Sequence, residues 1–312
     1  MIETPCIVSL VAPSGYPRNQ EALARGLRWL RARGCQIDNT HAVQRRYQRF
    51  AGTDDERAAD LNRLASPDRA RPDIVLAVRG GYGATRILPK LDYGGLRRRF
   101  AGTPSMFIGY SDFTAIQMAL LAQASLITFA GPMLCSDFGA ECPDALTLRH
   151  FQRALDHPHI TVRCNRPQTQ PVHVSGPLWG GNLAILASLT GTPYLPEIDG
   201  GILFTEDVGE HPYRIERMLY QLHLAGTLAR QQALVLGDFN EFRLSEADNG
   251  YDLAAMIEQL RTVIGIPIVT GLPFGHGSQR VTLPIGAPAR LMTDPQGFTL
   301  TAWDYPHAST CE

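Results

Sequence analysis

The segment Met106-Phe-Ile-Gly-Tyr-Ser-Asp-Phe-Thr-Ala-Ile116 contains the most informative pattern in the chain. Its apolar start predicts a buried strand, Gly109 permits a tight turn, and a helix is predicted from Phe113 onward. Ser111 falls on the turn between them, the geometry by which a nucleophile elbow lifts a hydroxyl clear of a sheet. Phe113 occupies the second glycine position of the G-x-S-x-G pattern. An ordinary N-cap serine is therefore the alternative interpretation.

Short β-rich runs alternate with helical patterns in the first half of the chain. Strands are predicted at Ile7–Val11 and Ile74–Val78, and helices at residues 19–33 and 113–123. At Thr53, a threonine followed three residues later by a glutamate predicts a capping box that starts another helix. This alternation is typical of an α/β fold whose mainly parallel sheet is flanked by helices.

The regular pattern weakens between residues 150 and 177, where proline, glutamine, threonine and arginine accumulate. A chain of 312 residues is also long for a single hydrophobic core. We therefore place a domain junction near residue 165. Residues 1–165 then form an α/β domain that carries Ser111, and residues 166–312 form a second domain that mixes helices with strands such as Gly201–Thr205.

Composition argues against several classes of partner. The 29 Lys and Arg residues nearly balance the 30 Asp and Glu residues, and the formal net charge is −1. No global field therefore attracts nucleic acid or an anionic membrane. Hydrophobic residues make up 44% of the chain, but no uninterrupted apolar run is long enough to span a bilayer. We expect a globular protein that binds neither.

The N-terminus and the cysteines bear on the compartment. The first residues lack a basic segment, and their apolar run ends at Pro13 and Gly15, so a strand is expected there rather than a signal peptide. The six cysteines are scattered and form no C-x-x-C motif. Without an export signal, free thiols in a reducing cytoplasm are the expectation.

The segment Val78-Arg-Gly-Gly-Tyr-Gly-Ala-Thr-Arg86 is the second one that can carry chemistry. It does not satisfy G-x-G-x-x-G and has no Walker lysine, which argues against a dinucleotide or phosphate loop. Glycines let a backbone approach a reacting carbonyl closely, so Gly80 and Gly81 are candidates for an oxyanion N–H. A purely structural turn is the alternative.

A nucleophilic serine needs a base, and the base needs an orienting carboxylate. Of the nine histidines, His276 lies between two glycines after a predicted strand, where it can either enter a cleft or face solvent. Glu206 follows an apolar strand and is the leading acid, with Asp207 and Glu210 as rivals. No histidine falls in an H-E-x-x-H pattern, so no metal site is expected.

Taken together, these segments resemble the LD-carboxypeptidase (muramoyltetrapeptide carboxypeptidase) family of serine peptidases, over essentially the whole chain. Several long motifs in the right order are more specific than any single one. The motifs that carry the resemblance are Val11-Ala-Pro-Ser-Gly15, Phe50-Ala-Gly-Thr53, Leu76-Ala-Val-Arg-Gly-Gly-Tyr-Gly-Ala84, Gly109-Tyr-Ser-Asp-Phe-Thr-Ala-Ile116, Leu178-Trp-Gly-Gly-Asn-Leu183, Glu206-Asp-Val-Gly-Glu-His-Pro-Tyr-Arg-Ile-Glu-Arg217 and Phe274-Gly-His276.

The resemblance implies roles for individual residues. Ser111 would be the nucleophile, His276 the general base and Glu206 the acid that orients the base. The oxyanion hole would use the backbone N–H groups of Asp112 and of the Gly80-Gly81 turn. Proximity to the motifs suggests four substrate-binding residues, which are Arg79, Arg86, Trp179 and Asn182.

The resemblance also implies the overall design and the substrate. An N-terminal Rossmann- or flavodoxin-like domain would be joined to a smaller mixed α/β domain, in a cytoplasmic homodimer that needs no metal or organic cofactor. The expected substrates are murein tetrapeptides, which lose D-alanine from an L,D bond during cell-wall recycling. A related immunity peptidase that cleaves a peptide–nucleotide antibiotic is the nearer alternative, and a non-catalytic ligand-binding protein is the more distant one.

Overall fold

The first sheet is built mainly from strands of the first half of the chain. The computed structural model describes residues 6–308, so Cys311 lies outside the described range. Five of the six strands run parallel, and the last one pairs antiparallel at an edge. In spatial order the strands are β11 (Leu283–Ile285), β5 (Thr128–Ala130), β4 (Met106–Gly109), β3 (Ile74–Ala77), β1 (Cys6–Val11) and β2 (Cys35–Asp38).

The second sheet has seven strands and is mixed. Four neighbouring strands pair in parallel, and the other three join them in antiparallel fashion. In spatial order they are β10 (Ile268–Thr270), β9 (Ala233–Asn240), β8 (Ile202–Val208), β7 (His173–Asn182), β12 (Pro288–Asp294), β13 (Gly297–Trp303) and β6 (His159–Cys164).

Helices connect the parallel strands, and several begin at a side-chain cap. Asn19 accepts a hydrogen bond from the N–H of Ala22, and Thr53 forms the predicted capping box with Glu56. The α-helices are α1 (Gln20–Arg31), α2 (Asp54–Asn62), α3 (Ala84–Ile87), α4 (Tyr93–Phe100), α5 (Thr114–Ala124), α6 (Ala145–Asp156), α7 (Leu183–Leu189), α8 (Pro212–Leu224) and α9 (Leu253–Val263).

The predicted α/β fold is confirmed, and residues 150–177, where the sequence pattern weakens, contain regular elements. This stretch contains most of α6, the whole of β6 and the start of β7. β6 alternates exposed and buried residues at the edge of its sheet, so its polar face hides it from a search for apolar runs. The domain junction near residue 165 stays a prediction. Two strands cross that junction. β6 lies before residue 165 but pairs within the second sheet, and β11 lies after it but pairs within the first.

Two glycines at the end of β7 allow close packing, Gly180 against β8 of the same sheet and Gly181 against the start of α5. A Cβ on Gly180 would lie 1.8 Å from the carbonyl oxygen of Phe204, and one on Gly181 would lie 2.6 Å from Thr114 Oγ1. The N–H of Asn182 then donates to Thr114 Oγ1 at 3.1 Å. Thr114 begins α5, directly after the predicted elbow. Gly181 therefore lets the end of β7 lie against the start of α5, the helix that follows the elbow.

Replacement of Gly180 by alanine is expected to destabilise the fold severely. Its φ of +138° disfavours a side chain, and the added methyl has no space against Phe204. We expect a loss of about 3 kcal/mol or more in the free energy of unfolding, measured by urea unfolding. Gly191→Ala is the control, because its φ is +80° but nothing lies within 4 Å of the new methyl; about 1–2 kcal/mol is expected there. Equal losses for both variants would contradict the packing argument.

Candidate active site

Ser111 lies on a strained turn between β4 and α5. Its φ of +61° is in the left-handed region, which is uncommon for a residue other than glycine and concentrates at functional sites. Phe113 is fully buried, and a Cβ on Gly109 would lie 2.7 Å from its ring. The aromatic ring thus packs over Gly109, which explains how the elbow tolerates Phe113 at the second glycine position of the pattern.

His276 and Glu206 complete a hydrogen-bonded chain with this serine. His276 Nε2 lies 3.0 Å from Ser111 Oγ, and His276 Nδ1 lies 2.7 Å from Glu206 Oε2. The carboxylate is fully buried, whereas the imidazole is partly exposed. A base positioned in this way can take the hydroxyl proton, and the carboxylate behind it can stabilise the imidazolium that forms.

Three neighbouring acids competed for the role of the orienting carboxylate, and only Glu206 contacts His276. The pairing of β8 with β9 shifts register between Thr205 and Asp207, and a bulge of this kind can redirect a side chain. Asp207 instead accepts the N–H of Ala184 at 2.8 Å, and burial raises its pKa to about 6. Glu210 forms an ion pair with Arg214 at 2.7 Å.

Asn182 links the two buried acids. Its Nδ2 lies 3.2 Å from Glu206 Oε1 and 3.0 Å from Asp207 Oδ1. Its Oδ1 accepts the N–H of Ile185 and caps α7. Asn182 therefore orients the acid behind the histidine, a position different from the predicted one in a substrate pocket.

A buried ion pair supports the loop that carries His276. Arg280 lies 2.9 Å from Asp137 and donates to the carbonyl of Gly277 at 2.6 Å. The guanidinium lies 4.0 Å from the centre of the Tyr110 ring, which meets the imidazole edge-on at 5.1 Å. Burial raises the pKa of Asp137, and Arg280 opposes that rise. These contacts hold the loop that carries His276 and pack Tyr110 against the imidazole.

Sequence reasoning missed this support. Tyr110 lies within the elbow motif, so its proximity to the site could have been inferred from its neighbour Ser111. Asp137 and Arg280 are 143 positions apart and fall in no motif, so nothing in the sequence indicates that they pair.

The predicted oxyanion segments lie beside the serine. A Cβ on Gly80 would be 2.7 Å from Ser111 Oγ and 3.5 Å from the backbone nitrogen of Asp112. The Asp112 carboxylate accepts from Ser14 Oγ at 2.5 Å and from the N–H of Ala84 at 2.9 Å, which ties the glycine-rich loop to the elbow. The backbone N–H of Asp112 lies at a helix start, where such groups lack intrahelical partners.

A cavity of about 530 Å³ opens at Ser111 and His276, and it receives only one of the four predicted substrate-binding residues. That residue is Arg79. Arg86 pairs with Asp54 at 2.9 Å outside the cavity. Trp179 is 1% exposed, and its indole N–H donates to Gln231 at 2.8 Å, so its position does not support a contact with substrate.

Residues 6–308 contain neither a metal-binding cluster nor a membrane-spanning helix. No group of three or more histidine, cysteine, aspartate or glutamate side chains is arranged to hold a metal ion. No helix in this range is both long and apolar enough to cross a membrane.

The site defines a serine hydrolase, in which a hydroxyl on a strained turn meets a histidine backed by a buried carboxylate. The chain belongs to the LD-carboxypeptidase family. Residues 8–131 match the profile of the LD-carboxypeptidase N-terminal domain, and residues 175–291 match that of the LD-carboxypeptidase C-terminal domain. The resemblance drawn from the sequence motifs is therefore confirmed.

Several proteins are similar over almost the whole chain. The crystal structure of muramoyltetrapeptide carboxypeptidase from Oxalobacter formigenes is 45% identical, with a TM-score of 0.89, and the match covers 96% of this chain and 99% of that one. A probable murein peptide carboxypeptidase of Bacillus subtilis is 33% identical over 92% of this chain and 88% of its own length. The microcin C7 self-immunity protein of Escherichia coli is 27% identical over 89% of this chain and 87% of its own.

Replacement of Asp137 by asparagine is expected to destabilise the protein by about 3–5 kcal/mol, because it leaves the buried guanidinium of Arg280 without a counter-charge. Equilibrium unfolding in urea measures this loss. Asp55→Asn is the control, since Asp55 forms an exposed ion pair with Lys90 and its loss should cost at most about 1 kcal/mol. A similar, small effect at both positions would show that the buried pair does not support the site.

Proposed function

We propose that this protein is a serine LD-carboxypeptidase that removes the terminal D-alanine from murein tetrapeptides and leaves tripeptides. The observation that carries the proposal is the hydrogen-bonded chain of Ser111, His276 and Glu206 at the edge of a cavity. Membership of the LD-carboxypeptidase family and the activities for which the Oxalobacter and Bacillus relatives are named support the substrate class.

The proposed reaction is acyl transfer through the serine. Ser111 Oγ attacks the carbonyl of the penultimate residue, and His276 takes the hydroxyl proton while Glu206 stabilises the imidazolium. Backbone N–H groups of Asp112 and the Gly80-Gly81 turn would bind the oxyanion. His276 then returns the proton to the amine of D-alanine, which leaves. A water molecule, activated by the same base, releases the tripeptide and restores the serine.

We extend the proposal to the organisation of the protein. Residues 1–165 would carry the nucleophile, and residues 166–312 would carry the acid and the base. The protein would act in the cytoplasm as a homodimer without a metal or organic cofactor, an expectation that rests on the family resemblance. Sedimentation velocity of the purified chain tests the dimer directly, and a monomer at all concentrations would contradict it.

Substitution of the three proposed catalytic residues should separate their roles. Ser111→Ala and His276→Ala should each lower kcat by at least about 10³-fold, because nucleophile and base act as one unit. Glu206→Gln should be severely impaired as well. Release of D-alanine, followed by mass spectrometry, is the measurement, and circular dichroism checks that each variant is folded.

Glu210→Gln is the matched control for the acid, because this carboxylate pairs with Arg214 and makes no contact with His276. It should retain near-native turnover. If Glu210→Gln were the slower of the two glutamine variants, the orienting role would belong to Glu210 instead. Near-native turnover by Ser111→Ala would eliminate the proposed nucleophile.

The choice of substrate separates the proposed function from its nearest alternative. We expect the subsite beyond the scissile bond to hold a single terminal residue and to reject a pentapeptide ending in D-Ala-D-Ala, since misplacement by about 1 Å can cost about 10²-fold. We expect kcat/KM for the tetrapeptide to exceed that for the pentapeptide and for an all-L tetrapeptide by at least about that factor.

An aminoacyl-nucleotide conjugate belongs in the same comparison, because the microcin self-immunity protein is similar over most of this chain. A clear preference for the conjugate would contradict the proposed murein substrate and would favour the immunity-peptidase alternative. Turnover of none of the four compounds, together with no labelling of Ser111 by a fluorophosphonate, would favour a ligand-binding protein.

A further inference from the structure

The cavity beside Ser111 is locally cationic although the chain as a whole is nearly neutral. Arg18 and Arg79 both line it, and its described lining residues include no aspartate or glutamate. The chain contains 29 Lys and Arg residues against 30 Asp and Glu residues, so composition does not account for this excess. The acid of the site, Glu206, is fully buried behind His276.

Arg79 is held in place by backbone rather than by a counter-ion. Its Nη1 donates to the carbonyl of Tyr16 at 3.1 Å. Its guanidinium also packs against two glycines, since Cβ atoms on Gly15 and Gly81 would lie 3.3 Å from Nη1 and 3.5 Å from Nη2. A guanidinium has five N–H donors in a fixed planar fork, so donors remain for a ligand.

Neither the half-buried Arg79 nor the exposed Arg18 has a carboxylate partner in the described part of the chain. Within residues 6–308, no ion pair includes either of them. Burial lowers the pKa of the half-buried Arg79, and the nearby charges of Arg18 and Arg49 lower it further. A bound anion would oppose both effects, because a nearby opposite charge favours the charged form of the guanidinium.

Helix α1 adds to the positive potential of this wall. Its N-cap Asn19 and its first-turn residue Ala22 line the cavity together with Arg18. The N-terminus of a helix carries a partial positive charge from its unpaired N–H groups. The helix, Arg18 and Arg79 therefore face the same space.

We infer that Arg79, assisted by Arg18, binds the terminal carboxylate of the peptide substrate. This inference rests on the proposed function and names the group that makes the enzyme a carboxypeptidase. Arg79 directly precedes Gly80, whose backbone lies against the Ser111 hydroxyl. Arg79, Gly80 and Ser111 line the same cavity, so a carboxylate held at Arg79 shares that space with the carbonyl that Ser111 attacks. A longer tail beyond the scissile bond would carry its carboxylate past the guanidinium.

The test uses two tetrapeptides that differ only at the C-terminus, one with a free carboxylate and one with a carboxamide. All other charges of the substrate are the same in both, so the ratio of their kcat/KM values reports the terminal group alone. The native protein should strongly prefer the free acid. Arg79→Gln should lower kcat/KM for the acid by about 10- to 150-fold, the range for a hydrogen bond to a charged group, and should change the value for the amide little.

Three further variants make the result specific. Arg18→Gln should reduce the acid-to-amide ratio less than Arg79→Gln does, because Arg18 is exposed. Arg79→Lys keeps the charge without the planar fork and should give an intermediate acid-to-amide ratio. This variant also tests the inference if Arg79→Gln does not fold. Arg86→Gln is the charge control from the same segment. It pairs with Asp54 outside the cavity and should leave the ratio unchanged.

Equal slowing of both peptides by the substitutions at Arg79 would mean a structural role and would overturn the inference. If the native protein cleaves neither peptide, the proposed function fails. A binding measurement then tests separately whether Arg79 binds a terminal carboxylate. Calorimetry with Ser111→Ala would then compare N-acetyl-D-alanine with its amide. If Ser111→Ala binds the acid more tightly than the amide and Ser111→Ala/Arg79→Gln does not, the result supports a carboxylate-binding role of Arg79. If Ser111→Ala shows no such preference, or if the preference persists in the double variant, that role is excluded.

Discussion

The hydrogen bond between Ser111 Oγ and His276 Nε2 depends on two sheets keeping a fixed relative position. Ser111 follows a strand of the first sheet, and His276 follows a strand of the second. A bond of 3.0 Å weakens steeply when its partners move apart or rotate. The sheets are joined close to this point, because the Asn182 N–H donates to Thr114 Oγ1 and because the chain passes directly from β11 in one sheet to β12 in the other. Gly181 at the end of β7 follows from the same need for close approach, because a Cβ there would lie 2.6 Å from Thr114 Oγ1.

The imidazole is fixed by two buried charge systems of different origin. Glu206 holds Nδ1 from the second sheet, and Asn182 satisfies the other carboxylate oxygen. Arg280 holds the backbone of the histidine loop and is paired with Asp137 from the first half of the chain. Buried charges are costly unless they are paired and hydrogen-bonded, so this arrangement uses stability to obtain one orientation of the ring. The loop that carries His276 therefore depends on contacts from both halves of the chain.

The sequence contained enough to predict the elements whose signals are local. The Ser111 elbow is a strand, a turn and a helix in succession, and the capping box at Thr53 needs only residues three positions apart. The choice of Glu206 over Asp207 depended on the family resemblance, because only the bulge in β8 decides which side chain reaches His276. Trp179 lies in one of the motifs that carry the family resemblance, but it is buried, and its indole N–H donates to Gln231 in the interior. Pairing between distant residues leaves no local trace, so such contacts could not be predicted from this sequence alone.

Negative charge lies on one side of His276 and positive charge on the other, and this arrangement constrains the reaction. The carboxylate lies behind the ring, where it stabilises the imidazolium, while arginines and a helix N-terminus lie in front. A carboxylate in front would oppose the negative charge that develops on the attacked carbonyl oxygen. A peptide must therefore enter with its anionic end toward Arg79 and its remaining length directed away. That polarity fits removal of a terminal residue, and it argues against cleavage in the middle of a chain, which would place a neutral amide beside an unpaired guanidinium.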